Sequence, residues 1–154
     1  MDDLVALFVA PGRGGHAGED PAVVRPRFAF ECSTGQHVTV TDEGVFLGWV
    51  AWYRVDDEVL GALRRGEADD WVREKRYPVL TEGPHCYIAD VVVAPGAPRC
   101  TYRLLIDLVG QLNADAMSLS GHMRKRDGRE RFAMRVNHGE PVWWRRRQCE
   151  APLH

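Results

Sequence analysis

Cys86-Tyr87-Ile88-Ala89-Asp90-Val91-Val92-Val93-Ala94, followed by Pro95-Gly96-Ala97-Pro98-Arg99, is the stretch on which the reading of this 154-residue chain turns. The first nine residues are nearly all apolar, the pattern of a strand buried on both faces, because a strand with one wet face alternates. Two prolines and a glycine then break the chain. Past the break, Tyr102, Leu105, Leu108, Val109 and Leu112 recur at helical spacing and predict a helix from about Arg99 to Leu112. Asn113-Ala114-Asp115 turns the chain into a second strand, Ala116-Met117-Ser118-Leu119-Ser120. Strand, helix and strand in this order make a right-handed crossover, which sets residues 86–94 and 116–121 side by side and parallel, with the helix on one face.

Upstream, β-branched runs separated by short glycine-ended turns predict an antiparallel meander: Phe28 to Cys32, His37 to Thr41, and Val45 to Val55. In the third of these, Val45, Leu47, Trp49, Ala51 and Tyr53 share one face and Phe46, Val50 and Trp52 the other, so the strand is interior. Gly48 in its middle marks a close approach or a bulge. Asp56 stands where an N-cap is needed for a helix through Val59, Leu60, Ala62 and Leu63, and Gly66 stops it. A second short helix is expected from Asp69 or Asp70 to Lys75, and Leu4 to Ala10 fits a short buried strand. Four glycines among residues 12–18 predict a flexible loop, so residues 1–26 are expected as a loose segment before a single domain over 27–154. Downstream come a basic loop at 124–129, a strand from Phe132 to Val136 and a last strand near Val142-Trp143-Trp144. The expected class is α+β, a mixed sheet with an N-terminal antiparallel meander and a central strand-helix-strand unit.

The composition, 45% hydrophobic and 27% charged, is that of a folded globular chain and excludes disorder. A net charge of −2 supplies no global field toward DNA or anionic lipid, although nine basic residues oppose four acidic ones from His122 onward. Cys32, Cys86, Cys100 and Cys149 form no CxxC pair and lie at no metal-ligand spacing from a histidine, so reduced thiols and no metal cofactor are expected. Met1-Asp2-Asp3 is acidic where a secretory signal is basic, and the apolar run after it is too short to span a membrane. A cytoplasmic protein is the expectation.

Asp90 is the most informative single residue, because an ionised carboxylate in a doubly buried strand is costly without a partner. It is either a catalytic or orienting carboxylate, or a structural one met by an arginine or a helix N-terminus. The loop Ala94-Pro95-Gly96-Ala97-Pro98-Arg99 leads into a helix N-terminus, where backbone N–H groups and the helix dipole favour an anion such as a phosphate. Pro95 and Pro98 remove two donors, and Arg99 and Arg103 can compensate. The glycine-rich stretch at 12–18 lacks the Gly-Lys-Ser/Thr ending of a nucleotide loop. His37, His85, His122 and His138 have no partner legible in the sequence and read as ordinary surface or turn residues, while His16 sits in the glycine loop. The basic end with Trp143 and Trp144 carries no recognised nucleic-acid motif, which argues against nucleic acid as a partner.

Gly48-Trp49-Val50-Ala51-Trp52 with Glu58, Asp70-Trp71, Tyr87-Ile88-Ala89-Asp90 with Ala94-Pro95-Gly96, and Phe132-Ala133-Met134-Arg135-Val136 together resemble segments of the toxin-activating lysine acyltransferases. That family is GNAT-like, and the order meander, helices, central strand, anion loop, helix and strand resembles the GNAT superfamily as a whole. The usual Arg/Gln-x-x-Gly-x-Gly/Ala loop of that superfamily is replaced here by residues 94–99, and the relatives' histidine-bearing N-terminal helical segment has no counterpart. The resemblance implies an acyltransferase moving an acyl group from acyl-CoA or acyl carrier protein to an amine of a protein or small molecule. It places Asp90 in the catalytic position with His16 as the histidine that would have to reach it, and Ala94, Gly96, Ala97, Arg99 and Arg103 near the donor. Asp90→Asn is then expected to silence the enzyme while barely unfolding it. The alternative is a catalytically degenerate GNAT-like interaction protein, bacterial or phage, that binds a protein partner or its own copy through its termini, with Trp143-Trp144-Arg145-Arg146-Arg147 as the contact.

Overall fold

The apolar run at the centre of the sequence is the centre of the sheet. In the computed structural model, which describes residues 2–10, 19–67, 74, 76, 78–124 and 130–136, five strands lie in the order of the chain: β1 (His37–Asp42), β2 (Val45–Val55), β3 (His85–Val93), β4 (Ser118–Arg124) and β5 (Glu130–Val136). The first three pair antiparallel, β3 and β4 pair parallel, and β5 returns antiparallel to β4. The parallel neighbours expected from the crossover are therefore present, joined by α4 (Thr101–Leu112).

Helices cover both faces. On one side α4 packs Leu105, Ile106 and Val109 against Val50, Trp52, Cys86 and Leu119. On the other lie α1 (Asp2–Val9), α2 (Pro21–Ser33) and α3 (Asp57–Arg64). Val5, Val24 and Phe28 meet Trp49, Ala51 and Val92 there, while Val59, Leu60 and Leu63 cover Tyr53, Val55 and Tyr87. Asp56 caps α3 as expected, its side chain accepting from the Val59 N–H at 2.9 Å, and Gly66 follows the helix at φ +75°.

Two segments differ from expectation. Phe28 to Cys32 is helical, not the first strand of the meander, so the antiparallel part consists of β1, β2 and β3. Asp20 caps this helix by accepting from the Ala22 N–H at 2.8 Å, and Pro21 occupies the first turn, where its missing N–H costs nothing. The buried positions Val24, Arg27, Phe28 and Glu31 follow a helical period that the Phe-x-Phe alternation concealed. Leu4 to Val9 is likewise helix, in α1 rather than a strand. The division expected at 26/27 runs through the middle of α2, and Val5 and Val24 are both core residues. The glycine loop with His16, the second short helix, the basic loop and the strand near Val142 lie outside the described residues.

Two bulges set the directions of side chains. At Leu47 the register with β1 shifts, and Phe46 joins the Trp49 face instead of the Val50 face. At Ala89 the register with β2 shifts between Ala51 and Trp52, so the residues on either side of the bulge no longer alternate as the sequence implies.

Candidate functional site

Without the Ala89 bulge, Asp90 would share the α4 face with Cys86 and Ile88. With it, Asp90 faces the opposite layer, where α2 presents Arg27 and Glu31 one turn apart. The Arg27 guanidinium donates from Nε to Asp90 Oδ2, and the same Nε lies 3.5 Å from Glu31 Oε1. Glu31 Oε1 also accepts from the Tyr53 hydroxyl at 3.1 Å. Arg27, Glu31 and Asp90 are all buried, with exposures of 9%, 0% and 7%. Burial, and next to it the charge and hydrogen bonding of Asp90, raise the Glu31 carboxyl well above the usual carboxylate range, with Arg27 and Tyr53 opposing. Glu31 Oε2 is buried and receives no hydrogen bond, so a proton is best placed on it. With the proton on Glu31, one positive guanidinium, one carboxylate and one carboxylic acid make a neutral network.

Tyr53 stacks on Tyr87, ring centroids 6.2 Å apart, and the Tyr87 oxygen lies 2.8 Å from His122 Nδ1 on β4. The His122 ring meets the Phe132 ring edge-on at 5.3 Å. This contact sits at a particular point of the sheet. The parallel ladder between β3 and β4 runs from His85↔Ser118 to Ile88↔Gly121 and stops, while β3 continues beside β2 to Val93 and β4 continues beside β5 to Arg124. The two strands therefore part after Ile88 and Gly121, and His122 is the first β4 residue beyond the last pair. Gly121 permits the tight final contact, since a Cβ there would come within 3.3 Å of Ile88 Cβ and its carbonyl oxygen.

At the end of β3 the chain turns at Gly96, φ +83°, with the Ala97 N–H donating to Ala94 O at 3.1 Å. The Thr101 N–H is used inside the next turn by Pro98 O, at 2.9 Å. Cys100 caps α4 without a side-chain hydrogen bond, and the Leu104 N–H donates to Cys100 O at 2.9 Å. Arg99 is exposed, and Arg103 is half-buried and 3.5 Å from Asp107.

The opposite end of the β3–β4 pair holds a second histidine. His85 Nδ1 is 2.8 Å from Ser118 Oγ and its Nε2 is 2.8 Å from Asp57 Oδ1. The carboxylate can only accept, so Nε2 carries a hydrogen, and in the neutral ring the serine donates to Nδ1. Ser118 is 3% exposed, which makes this a tie between the strand pair and the start of α3.

Asp90 and the 94–99 loop are singled out from the sequence as candidates, whereas four residues with long-range partners are not. The strand expected at Phe28 to Cys32 hides the link between Arg27 and Glu31, although their i, i+4 spacing is a helical signal. His85 and His122 are not ordinary surface histidines; their partners come from other elements and no local pattern announces them. Among the described residues no group of histidine, cysteine and carboxylate side chains could hold a metal ion, and no helix is long and apolar enough to cross a membrane.

No protein-family model and no curated protein sequence matches the chain. A solved structure described as a GphF GNAT-like decarboxylase in complex with isobutyryl-CoA matches with a TM-score of 0.54 at 20% sequence identity. The match covers 82% of this chain and 64% of that one, so the chain spans less than two thirds of its structural neighbour. With a five-stranded mixed sheet among the described residues, a parallel pair formed by the two strands that part, and helices on both faces, the fold of this chain is GNAT-like.

Proposed function

We propose that this chain binds an acyl thioester, carried by CoA or acyl carrier protein, in the wedge between β3 and β4 and transfers the acyl group to an amine. The observation that carries the reading is the early end of the β3–β4 ladder at Ile88↔Gly121, next to a strand-to-helix loop whose cap residue, Cys100, makes no side-chain capping hydrogen bond. A phosphopantetheine arm carries amides that can pair with the strand edges as an added strand would. Its phosphate would then meet the loop Ala94, Gly96 and Ala97 and the first turn of α4, with Arg99 and Arg103 supplying positive charge. Asp90, held by Arg27, acts as the orienting carboxylate for the acceptor amine. As a rival assignment of the proton-carrying group, the resemblance to the toxin-activating lysine acyltransferases pairs Asp90 with His16. The decarboxylase neighbour supports thioester binding on this fold and leaves the reaction to experiment.

Titration calorimetry of the protein with isobutyryl-CoA and with acylated acyl carrier protein tests the first step, and mass spectrometry of amine acceptors tests the second. Saturable binding to either donor is expected. Absence of binding to both would favour the interaction-protein reading, for which the exposed Leu104, Leu112 and Met117 are the supporting observation; light scattering after size exclusion would then show an assembly.

A further inference from the structure

We infer that His122 is the group that moves the proton in this acyl transfer, oriented by Tyr87 across the point where β3 and β4 part. The inference rests on thioester binding in the wedge. A ligand arm lying between the strands ends at the apex, because beyond it the ladder from Ile88↔Gly121 downward fills the gap. His122 is the first side chain past that apex on β4, on the same face as Tyr87, and so stands beside the reacting end of the arm rather than its phosphate end.

Its ring is fixed in three ways. Nδ1 lies 2.8 Å from the Tyr87 oxygen, the Tyr87 ring stands edge-on to it at 6.0 Å, and the Phe132 ring does so at 5.3 Å. When Nδ1 carries a hydrogen it donates to the Tyr87 oxygen and leaves the Nε2 lone pair as a base, and the same hydrogen bond persists after Nε2 is protonated. Tyr87 is 4% exposed and stacked on Tyr53, so its oxygen is a rigid reference for the imidazole. The amine attacks the thioester carbonyl and the C–N bond forms. His122 Nε2 takes one N–H proton, the C–S bond breaks, and that proton passes to the departing sulfur. Thioester and amine become amide and free thiol, with no other reactant.

The test uses the full chain with isobutyryl-CoA as donor and n-butylamine as acceptor, following free thiol by absorbance and donor affinity by calorimetry. His122→Gln keeps a hydrogen-bonding group for Tyr87 but cannot carry the proton. It is expected to bind the donor within about twofold of wild type and to lose roughly 10²- to 10⁴-fold in kcat. Tyr87→Phe is expected to lose about tenfold in kcat with KM for the donor unchanged, the effect of one lost orienting hydrogen bond. Donor binding with equal kcat in wild type and His122→Gln overturns this inference and leaves the proposed function standing. No donor binding by the wild type, or binding without thiol release to the amine, overturns the acyl-transfer reading and the inference with it. Equal thermal midpoints for the three proteins exclude misfolding as the cause of a lost rate; if His122→Gln is destabilised, His122→Asn must reproduce the same split between kcat and affinity.

Discussion

Asp90 meets Arg27 only because the chain gains one residue at Ala89: the bulge turns the carboxylate from the α4 face to the α2 face, where the guanidinium waits. A residue whose presence in a buried strand is costly by itself is thereby paired with Arg27 in a group that includes Glu31 and Tyr53.

Removing one member of that group should be worse than removing both charges. Asp90→Asn removes the charge that helps to raise the Glu31 carboxyl, so Glu31, 3.5 Å from the Arg27 Nε, can ionise in its place, and the cost is expected to stay below the roughly 3–5 kcal/mol of a buried guanidinium left with no counter-charge; Arg27→Met with Asp90→Asn costs less than the sum of the single changes. Urea unfolding of the two single variants and the double variant measures the coupling. Activity lost in Asp90→Asn is to be read beside the stability of that variant, which the same unfolding curves supply.

Glu31 should make the protein less stable as the pH rises. Its carboxyl is raised in the folded state above its ordinary value of 4.5, so the stability it contributes is fully present below that value and is lost as pH climbs through the raised one. Glu31→Gln, whose amide can donate to Asp90 at every pH, is expected to flatten this decline and to exceed wild type in stability at neutral and alkaline pH. Thermal unfolding of both proteins from pH 4 to pH 9 decides it, and parallel curves would contradict it.

Gly48 should resist substitution. A Cβ there would lie 2.8 Å from Val92 O, 2.9 Å from Leu105 Cδ1 and 3.3 Å from Thr101 Cγ2, so the start of α4 rests directly on the strand. Gly48→Ala is expected to cost about 1–3 kcal/mol by forcing the helix outward, measured by denaturant unfolding. Gly110→Ala is the control, since its Cβ would meet only Leu119 Cδ2 at 3.7 Å.

Cys86 should be inert while the protein is folded. It is 0% exposed and burial pushes its thiol up to about 12, so almost no thiolate is available at neutral pH. Iodoacetamide labelling followed by mass spectrometry is expected to leave Cys86 unmodified in native buffer and to modify it in denaturant. Labelling of Cys86 at the same rate in both would show that its strand opens readily.

The sequence by itself determined the elements whose pattern is local. The nearly continuous apolar run from Cys86 to Val93, the helical spacing from Leu105 to Val109 and the Asp56 cap specify a central strand, a crossover helix and a parallel return, because these follow from backbone periodicity and hydrogen bonding within a few residues. The tertiary structure decided what depends on a partner far along the chain. Phe28 to Cys32 became helix because a capped, proline-started segment could bury Val24 and Phe28 against Trp49, a choice made by packing over β propensity. Asp90 found Arg27 through a single extra residue in one strand, and His122 found Tyr87 where two parallel strands part. A bulge reverses the side-chain alternation without changing composition, and a ladder ends where geometry separates two strands, so neither leaves a periodic trace in the sequence.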